Sequence, residues 1–260
     1  MLRTTRYPPG MPSLFDAPDF NARLFFPRAE TRTPPPDAID LVVDVPGARL
    51  DLRWHRRQGS SWTVLLFHGN GEVVADYDFA ALDFARVGAE LAVVDYRGYG
   101  GSSGTPSLRA ALDDAPLVLA RLLSEGPKPL VVMGRSLGSA CAAELYARSP
   151  AAVRGFIWES GIADLAGLVR RRGVAVPERF TPDDVERFEP VGKLRRGSLP
   201  LLVLHGQQDT IIPVAEAQRA FDAAGASSKE LVTIAGAGHN DLSGSPEYWA
   251  AAGRFLTALP

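Results

Sequence analysis

A single serine stands between two glycines at the point where a strand-like pattern becomes a helix-like one. A short apolar run leads into "GRSLG", residues 134–138, and small and apolar residues with helical spacing follow. A tight turn here leaves no room for bulk on either side and lifts the serine oxygen above the end of the strand, where a substrate can reach it. The helix behind it places its positive dipole end at the same point. The pattern therefore predicts a nucleophilic Ser136.

An activated serine requires a general base, and the base requires an acid that orients it. Among the four histidines, His239 has the most suitable context, because it lies in the glycine-rich stretch "AGAGHNDLSG" after the last strand-like run. Asp209 comes directly after the buried strand-like run "PLLVLHG" and is the candidate acid. We therefore expect Ser136, His239 and Asp209 to form a catalytic triad.

Attack by a serine on an acyl carbon creates an oxyanion, which needs two N–H donors. The backbone N–H of Leu137 is one candidate, since it follows the nucleophile in the turn. The second candidate is the backbone N–H of Asn70 in "LLFHGNGE", where Gly69 and Gly71 let the backbone approach a substrate. We interpret His68 as a structural residue that holds this loop.

Eight strand-like runs alternate with helix-like stretches from residue 40 onward, which predicts an α/β fold with a doubly wound sheet. From residue 62 the runs are mostly uninterrupted apolar stretches, typical of parallel strands buried on both faces. The first two runs, 40–45 and 49–55, alternate instead and predict an antiparallel edge hairpin. His55 in this pattern is expected to face solvent.

Two segments lie outside this alternation. Residues 1–37 are rich in proline and aromatic residues and are expected to form an extended N-terminal arm; its aromatic residues either pack on the domain or contact a membrane or partner. Residues 161–199 form a long excursion within the main domain, 38–260, and are expected to build a small lid. A helix start is predicted at Thr181, with a capping side chain followed by proline. The arginines of this segment either form a solvated helix face or attract an acidic substrate.

Composition excludes several classes of protein. The net charge of −2 gives no basic excess for nucleic acid. A single cysteine, Cys141, cannot form an internal disulfide or a cysteine-built metal site. The N-terminus is a poor signal peptide, and no apolar run is long enough to span a bilayer. We therefore expect a soluble, cytoplasmic protein with no metal or organic cofactor.

Five blocks together resemble the serine hydrolases of the α/β-hydrolase superfamily. They are "HGN" at 68–70, "DYRGYG" at 95–100, "GRSLGS" at 134–139, "HG..D..IP" at 205–213 and "GAGHND" at 236–241. The chain order serine, aspartate, histidine is also that of this superfamily. The resemblance covers about residues 40–258. Within the superfamily, the sequence is similar to a single-domain branch that includes lipid-thioester hydrolases of eukaryotes and many uncharacterised bacterial esterases. It implies an eight-stranded, twisted, mostly parallel sheet with helices on both faces.

The resemblance also implies roles for other residues. Asp95, Arg97 and Tyr99 would belong to a structural turn, and Asp241 would steady the histidine loop. In some hydrolases the triad acid follows the sixth strand, so Glu159, at the end of "GFIWES", is the alternative to Asp209.

The expected activity is hydrolysis of carboxylic esters or thioesters through an acyl-enzyme on Ser136, with a small-molecule acyl substrate and no nucleic acid. Two alternatives remain open at this point. The same triad could serve a peptidase or amidase, and a non-catalytic ligand-binding protein could retain the same fold. The sequence does not define the acyl length or the oligomeric state.

Overall fold

The computed structural model describes residues 13–175 and 180–260. Within these residues, eight strands form one sheet: β1 (Ala38–Val45), β2 (Ala48–His55), β3 (Trp62–Phe67), β4 (Ala89–Val94), β5 (Leu130–Arg135), β6 (Val153–Glu159), β7 (Leu201–Gly206) and β8 (Lys229–Ile234). Their order is β1-β2-β4-β3-β5-β6-β7-β8. The β1/β2 and β2/β4 pairs are antiparallel, and all other neighbours are parallel. The predicted α/β fold with a mostly parallel sheet is confirmed.

Nine α-helices accompany the sheet in the described part of the chain. They are α1 (Pro18–Leu24), α2 (Ala80–Arg86), α3 (Leu108–Ser124), α4 (Ser139–Arg148), α5 (Leu165–Arg171), α6 (Pro182–Phe188), α7 (Pro190–Arg196), α8 (Ala215–Ala223) and α9 (Pro246–Ala258). The helices pack in two groups, and each group contributes to its own apolar core against the sheet. One core contains residues of α3 and α4, such as Leu112 and Cys141, and the other contains residues of α2 and α9, such as Phe84 and Tyr248.

The inner strands are buried along most of their length. Every residue of β4 and of β7 is buried, as uninterrupted apolar runs predict for strands covered on both faces. The carboxyl ends of the parallel strands β3, β5, β6 and β7 meet at one edge of the sheet. In open α/β sheets, ligands bind beyond this edge, and the loops there carry the candidate site residues.

The expectation that His55 faces solvent is wrong. His55 ends β2, which lies between β1 and β4 rather than at the sheet edge, and only 1% of the residue is exposed. Burial lowers the pKa of His55, although Asp78, with a carboxylate oxygen 3.4 Å from Nε2, acts in the opposite direction. The alternation of apolar and polar residues in β2 therefore did not show that the face carrying His55 is covered by other parts of the protein.

The N-terminal segment is not extended throughout. Residues 18–24 form α1, which begins with Pro18 at its first position, a position where the missing N–H costs nothing. Phe15, Phe20, Leu24 and Phe25 are buried in the first core, and the Phe15 and Phe20 rings meet edge to face at 5.2 Å. These four side chains therefore pack on the domain, whereas Phe26 is exposed. Residues 1–12 of the predicted arm lie outside the described residues.

The excursion between β6 and β7 contains the helices α5, α6 and α7. The helix start predicted at Thr181 is confirmed: the Thr181 hydroxyl oxygen accepts a hydrogen bond from the Asp184 N–H, and the Thr181 N–H donates to Asp184 Oδ2. Helix α7, which the sequence analysis did not predict, starts at Pro190 directly after α6 ends. Four positions of this excursion, 176–179, lie outside the described residues.

Helix α7 is fastened to α4 by a buried ion cluster. Lys193 Nζ lies 2.7 Å from Glu144 Oε2, and Arg187 of α6 and Arg148 of α4 contact the other oxygen of Glu144 at 3.1 and 2.8 Å. Burial alone would raise the pKa of Glu144, but the attraction of Lys193 and the arginines lowers it to about 2. This cluster attaches the excursion to the helix that follows Ser136.

Candidate active site

Ser136 occupies a strained turn between β5 and α4. Its φ angle is +51°, a left-handed conformation that costs about 1 kcal/mol or more for a residue with a side chain. The flanking glycines are required by space. A Cβ on Gly134 would lie 2.7 Å from the Cβ of Ala142, and one on Gly138 would overlap the backbone of Phe67 in β3. The turn thus has the geometry predicted from "GRSLG".

The structure brings Ser136, His239 and Asp209 into one hydrogen-bonded chain. His239 Nε2 lies 2.9 Å from Ser136 Oγ, and His239 Nδ1 lies 2.6 Å from Asp209 Oδ2. An ionised carboxylate can only accept hydrogen bonds, so Nδ1 carries the imidazole proton. Nε2 is then free to accept the proton of the serine hydroxyl. All three residues are less than 10% exposed.

Asp209 is held as a carboxylate by several donors. Its Oδ1 accepts the backbone N–H groups of Ile211 and Ile212, both at 2.8 Å. Burial opposes its charge, but hydrogen bonds from His205, His239 and Ile212 outweigh that effect and hold the pKa of Asp209 well below its usual range. Asp209 therefore remains ionised at any pH at which the imidazole could act as a base.

His205 is a site residue to which the sequence analysis gave no role. Its Nε2 lies 2.9 Å from the Ile212 carbonyl oxygen and 3.3 Å from Asp209 Oδ2. His205 and Asp209 are four residues apart on either side of the turn that ends β7. This short spacing was visible in the motif "HG..D..IP", but only the fold shows that the ring turns toward the aspartate.

Glu159, the alternative acid, is not bonded to His239. Its Oε2 accepts a hydrogen bond from the Tyr248 hydroxyl at 2.6 Å, and its Oε1 lies 3.2 Å from Arg135 Nε. Burial raises the pKa of Glu159 despite the opposing effect of Arg135. The structure thus brings Asp209, rather than Glu159, to the histidine.

Asn70 lies on the loop after β3, beside the turn that carries Leu137. Among residues 13–175 and 180–260, no acceptor contacts its backbone N–H. Its side chain ties the loop to the N-terminal segment: Nδ2 donates to the Leu24 carbonyl at 2.5 Å, while Oδ1 accepts from the Phe26 N–H at 2.9 Å and the Tyr99 hydroxyl at 2.6 Å. This second role of Asn70 was not predicted from the sequence.

The remaining motif residues have structural contacts. His68 Nε2 lies 3.2 Å from Asp95 Oδ1, and the Tyr96 hydroxyl donates to the His68 carbonyl at 2.7 Å. Arg97 forms a bidentate ion pair with Asp114, in which Nε and Nη2 each donate to a carboxylate oxygen at 2.7 Å. Asp241 accepts the Gly238 N–H at 2.6 Å and so closes the histidine loop.

Two general properties of the described chain bear on the site. No group of three or more His, Cys, Asp or Glu side chains in residues 13–175 and 180–260 is arranged to hold a metal ion. Among the described helices, none combines the length and apolar character needed to cross a bilayer.

The family model described as "Serine aminopeptidase, S33" matches residues 58–177 and 186–244. This match covers more than half of the chain and includes Ser136, Asp209 and His239. The chain therefore belongs to this family of the α/β-hydrolase superfamily, as the resemblance of its motifs implied.

Curated relatives have diverse names. The uncharacterised protein Rv2307c of Mycobacterium tuberculosis is 30% identical over 213 residues, which are 79% of this chain and 74% of that protein. Protein bem46 of Schizosaccharomyces pombe is 27% identical over 75% of this chain and 67% of its own length. The lysophosphatidylserine lipase ABHD12 of Danio rerio is 30% identical over 70% of this chain, but the match spans only 52% of the lipase.

Solved structures support the same fold. The Pyrococcus furiosus esterase Pf2001 superposes with a TM-score of 0.70 at 20% identity, over 90% of this chain and 96% of the esterase. Est1E of Butyrivibrio proteoclasticus, solved with ferulic acid, superposes with a TM-score of 0.65 at 16% identity, over 84% of this chain and 98% of Est1E. At these identities the likeness establishes the fold.

Proposed function

We propose that this hydrolase cleaves carboxylic esters or thioesters through an acyl-enzyme on Ser136. The observation that carries the proposal is the hydrogen-bonded chain from Ser136 through His239 to Asp209, with the serine in a left-handed turn at the end of β5. A base within hydrogen-bonding distance of a serine, itself oriented by a carboxylate, is the arrangement that activates a hydroxyl at neutral pH.

Acylation follows from these contacts. Ser136 Oγ attacks the acyl carbon and forms the new C–O bond while its proton passes to His239 Nε2. The imidazolium is stabilised by Asp209, whose Oδ2 accepts the Nδ1 proton. As the tetrahedral intermediate collapses, the bond to the alcohol or thiol breaks, and the proton on Nε2 goes to that leaving group.

Deacylation reverses the roles of the groups. A water molecule attacks the acyl-enzyme and gives its proton to His239. The C–O bond to Ser136 then breaks, and the serine oxygen takes the proton back. The backbone N–H groups of Leu137 and Asn70 are proposed to hold the oxyanion in both halves of the reaction, and such donors contribute roughly 3 kcal/mol each.

Peptide or amide hydrolysis on the same site is the second candidate, and the family description, which names an aminopeptidase, favours it. An enzyme that acts at a free amino terminus needs an unpaired carboxylate to receive the ammonium group. Glu72 and Glu159, two carboxylates beside the candidate site, are both paired with Arg135. Because both carboxylates are paired, this observation supports ester or thioester hydrolysis over aminopeptidase activity.

Residues 161–199 are proposed to act as a small lid. The segment begins directly behind the nucleophile, because the Ile162 N–H donates to Ser139 Oγ at 2.9 Å. It then reaches the N-terminal segment beside the loop that carries Asn70: the Arg172 guanidinium lies 5.3 Å from the ring centre of Phe26, whose N–H donates to Asn70 Oδ1. A cover made partly from this segment would set the size of the acyl group.

The test is a comparison of nitrophenyl esters, acyl thioesters and aminoacyl anilides as substrates. We expect turnover of esters and thioesters by the wild type, none by Ser136→Ala, and little on the anilides. Ser61→Ala, which removes an exposed hydroxyl, is the control for loss of a serine. A folded Ser136→Ala variant with near wild-type turnover would refute the proposal, anilide cleavage would favour the peptidase, and binding without turnover would favour a ligand-binding protein.

A further inference from the structure

Arg135, the residue directly before the nucleophile, contacts three other segments that meet at the site. Its Nε lies 3.2 Å from Glu159 Oε1 at the end of β6, and its Nη1 contacts Glu72 on the loop after β3. Its Nη2 donates to the His239 carbonyl oxygen at 3.2 Å and to Asn240 Oδ1 at 2.8 Å. One guanidinium thus joins the nucleophile turn, the loop after β3, the end of β6 and the histidine loop.

The partners of Arg135 are themselves anchored. Glu72 Oε2 accepts the Gly69 N–H at 2.7 Å and the Tyr77 hydroxyl at 2.6 Å. Gly69 precedes Asn70, the proposed oxyanion donor, so Glu72 transmits the position of Arg135 to that loop. On the other side, Glu159 is fixed by Tyr248 of α9. Both carboxylates that contact the guanidinium, Glu72 and Glu159, are therefore fixed by further hydrogen bonds.

The charge of Arg135 is retained although its side chain is only 12% exposed. Burial works against the charge, but Glu159 and Glu72 outweigh it and raise the pKa of Arg135. A planar guanidinium presents five donors in a fixed fork, whereas an ammonium is a compact point charge. An arginine side chain can donate to all four acceptors around this position, and a lysine side chain cannot.

We propose that Arg135 is a positioning residue. It connects the histidine loop and the loop after β3 to the nucleophile turn, and so sets the position of the His239 side chain relative to Ser136. The inference rests on the proposed function. Arg135 acts through the His239 backbone and Asn240 on one side and through Glu72 and Gly69 on the other. Its loss would shift the base and an oxyanion donor relative to the serine while the substrate pocket stays formed.

The test compares Arg135→Met, Arg135→Lys and Asn240→Ala with the wild type on an ester substrate. A displacement of about 1 Å at a reacting group can cost about 100-fold in rate, so we expect Arg135→Met to lose about that factor in kcat. KM should change by less than about threefold, because ground-state binding is untouched. Arg135→Lys should lose roughly tenfold, since one ammonium cannot meet all four acceptors.

Rescue by added guanidinium ion separates positioning from general damage. In a further variant, Arg135→Ala, the ion can occupy the space of the missing side chain and restore the fork, and we expect it to raise kcat of Arg135→Ala by at least roughly tenfold. Arg254→Met, which removes an exposed arginine paired with Glu230, is the matched control and should show neither loss nor rescue. Thermal unfolding of each variant checks that it is folded.

A folded Arg135→Met variant with kcat within about twofold of wild type would overturn the inference. A loss that falls on KM and is not restored by guanidinium would do the same. If Arg135→Met does not fold, Arg135→Lys and Asn240→Ala decide the question by whether kcat falls at constant KM. A wild type without Ser136-dependent turnover would instead overturn the proposed function, and the inference with it.

Discussion

Gly134 and Ala142 are in direct contact at the point where β5 passes into α4. A Cβ on Gly134 would lie 2.7 Å from the Ala142 Cβ and 2.7 Å from the Gly138 carbonyl oxygen. Strand and helix can approach this closely only because Gly134 has no side chain and Ala142 has a small one. This contact fixes the direction in which the turn presents Ser136.

Gly134→Ala is therefore expected to damage both fold and activity. Part of the clash is with backbone, which cannot move aside, so we expect a loss of about 1–3 kcal/mol in the free energy of unfolding and a marked drop in turnover. Denaturant unfolding and ester turnover measure the two effects. Gly253→Ala in α9 is the control: its Cβ would lie 3.6 Å from Val87 Cγ1, an ordinary contact, so stability should be unchanged or higher.

Turnover should decrease on acidification because a protonated His239 cannot accept the serine proton. The pKa of Asp209 is held below its usual range, so this carboxylate stays ionised throughout the measurement. The measurement is kcat/KM from about pH 8 to about pH 5. Asp209→Asn should lower the rate by about 10⁴-fold. A flat profile over this range would count against His239 as the base.

The ion cluster of Glu144 and Lys193 should make stability depend on pH. The pKa of Glu144 is about 2 in the folded protein against an ordinary value of 4.5. Because the folded-state value is the lower one, the stabilisation is present above pH 4.5 and is lost as the pH falls toward 2. Unfolding free energies measured across this window should show the decrease in the wild type and a smaller one in Glu144→Gln.

At neutral pH, Glu144→Gln leaves the buried Lys193 without its carboxylate, and we expect a loss of about 3 kcal/mol in unfolding free energy. Glu125→Gln is the control, because Glu125 pairs with Arg121 at the surface, and such pairs contribute at most about 1 kcal/mol. Equal effects of the two substitutions would show that the cluster does not stabilise the fold.

Asn70→Ala keeps the proposed oxyanion N–H but removes the side chain that ties the loop to residues 24–26. We expect roughly a tenfold drop in kcat, because the loop is released from one anchor, and a loss of about 1–3 kcal/mol in stability from the unpaired partners. Gln207→Ala, which removes an exposed amide bonded to Thr233, is the control. Wild-type kcat in Asn70→Ala would show that the arm does not position this loop.

The fold could be predicted because its signals are local and strong. Uninterrupted apolar runs defined the strands: the run "PLLVLHG" is β7, Leu201–Gly206. Helices α1 and α7 were not predicted, since neither has a side chain that caps its first turn, the signal that marked the start of α6 at Thr181. His55 was misjudged because burial depends on which segment packs on the strand, and alternation alone does not contain that information.

The triad and two oxyanion donors, Leu137 and Asn70, were predicted for the candidate site, and the structure shows further contacts around them. Ser136, Asp209 and His239 each follow a strand and lie in a recognisable motif. The role of Arg135 could not be predicted, since its partners are far away in the sequence: Arg135 and His239 are joined across 104 positions. Contacts of this kind depend on the order of strands in the sheet, which the sequence pattern leaves open.

The most direct test of the account is labelling with a fluorophosphonate probe, followed by mass spectrometry of the modified peptide. Such probes react with a serine whose hydroxyl is activated by a base. We expect a single adduct on Ser136, lost in Ser136→Ala and strongly slowed in Asp209→Asn. A folded wild type that stays unmodified, or an adduct on another serine, would contradict the proposal that Ser136 is the nucleophile of this hydrolase.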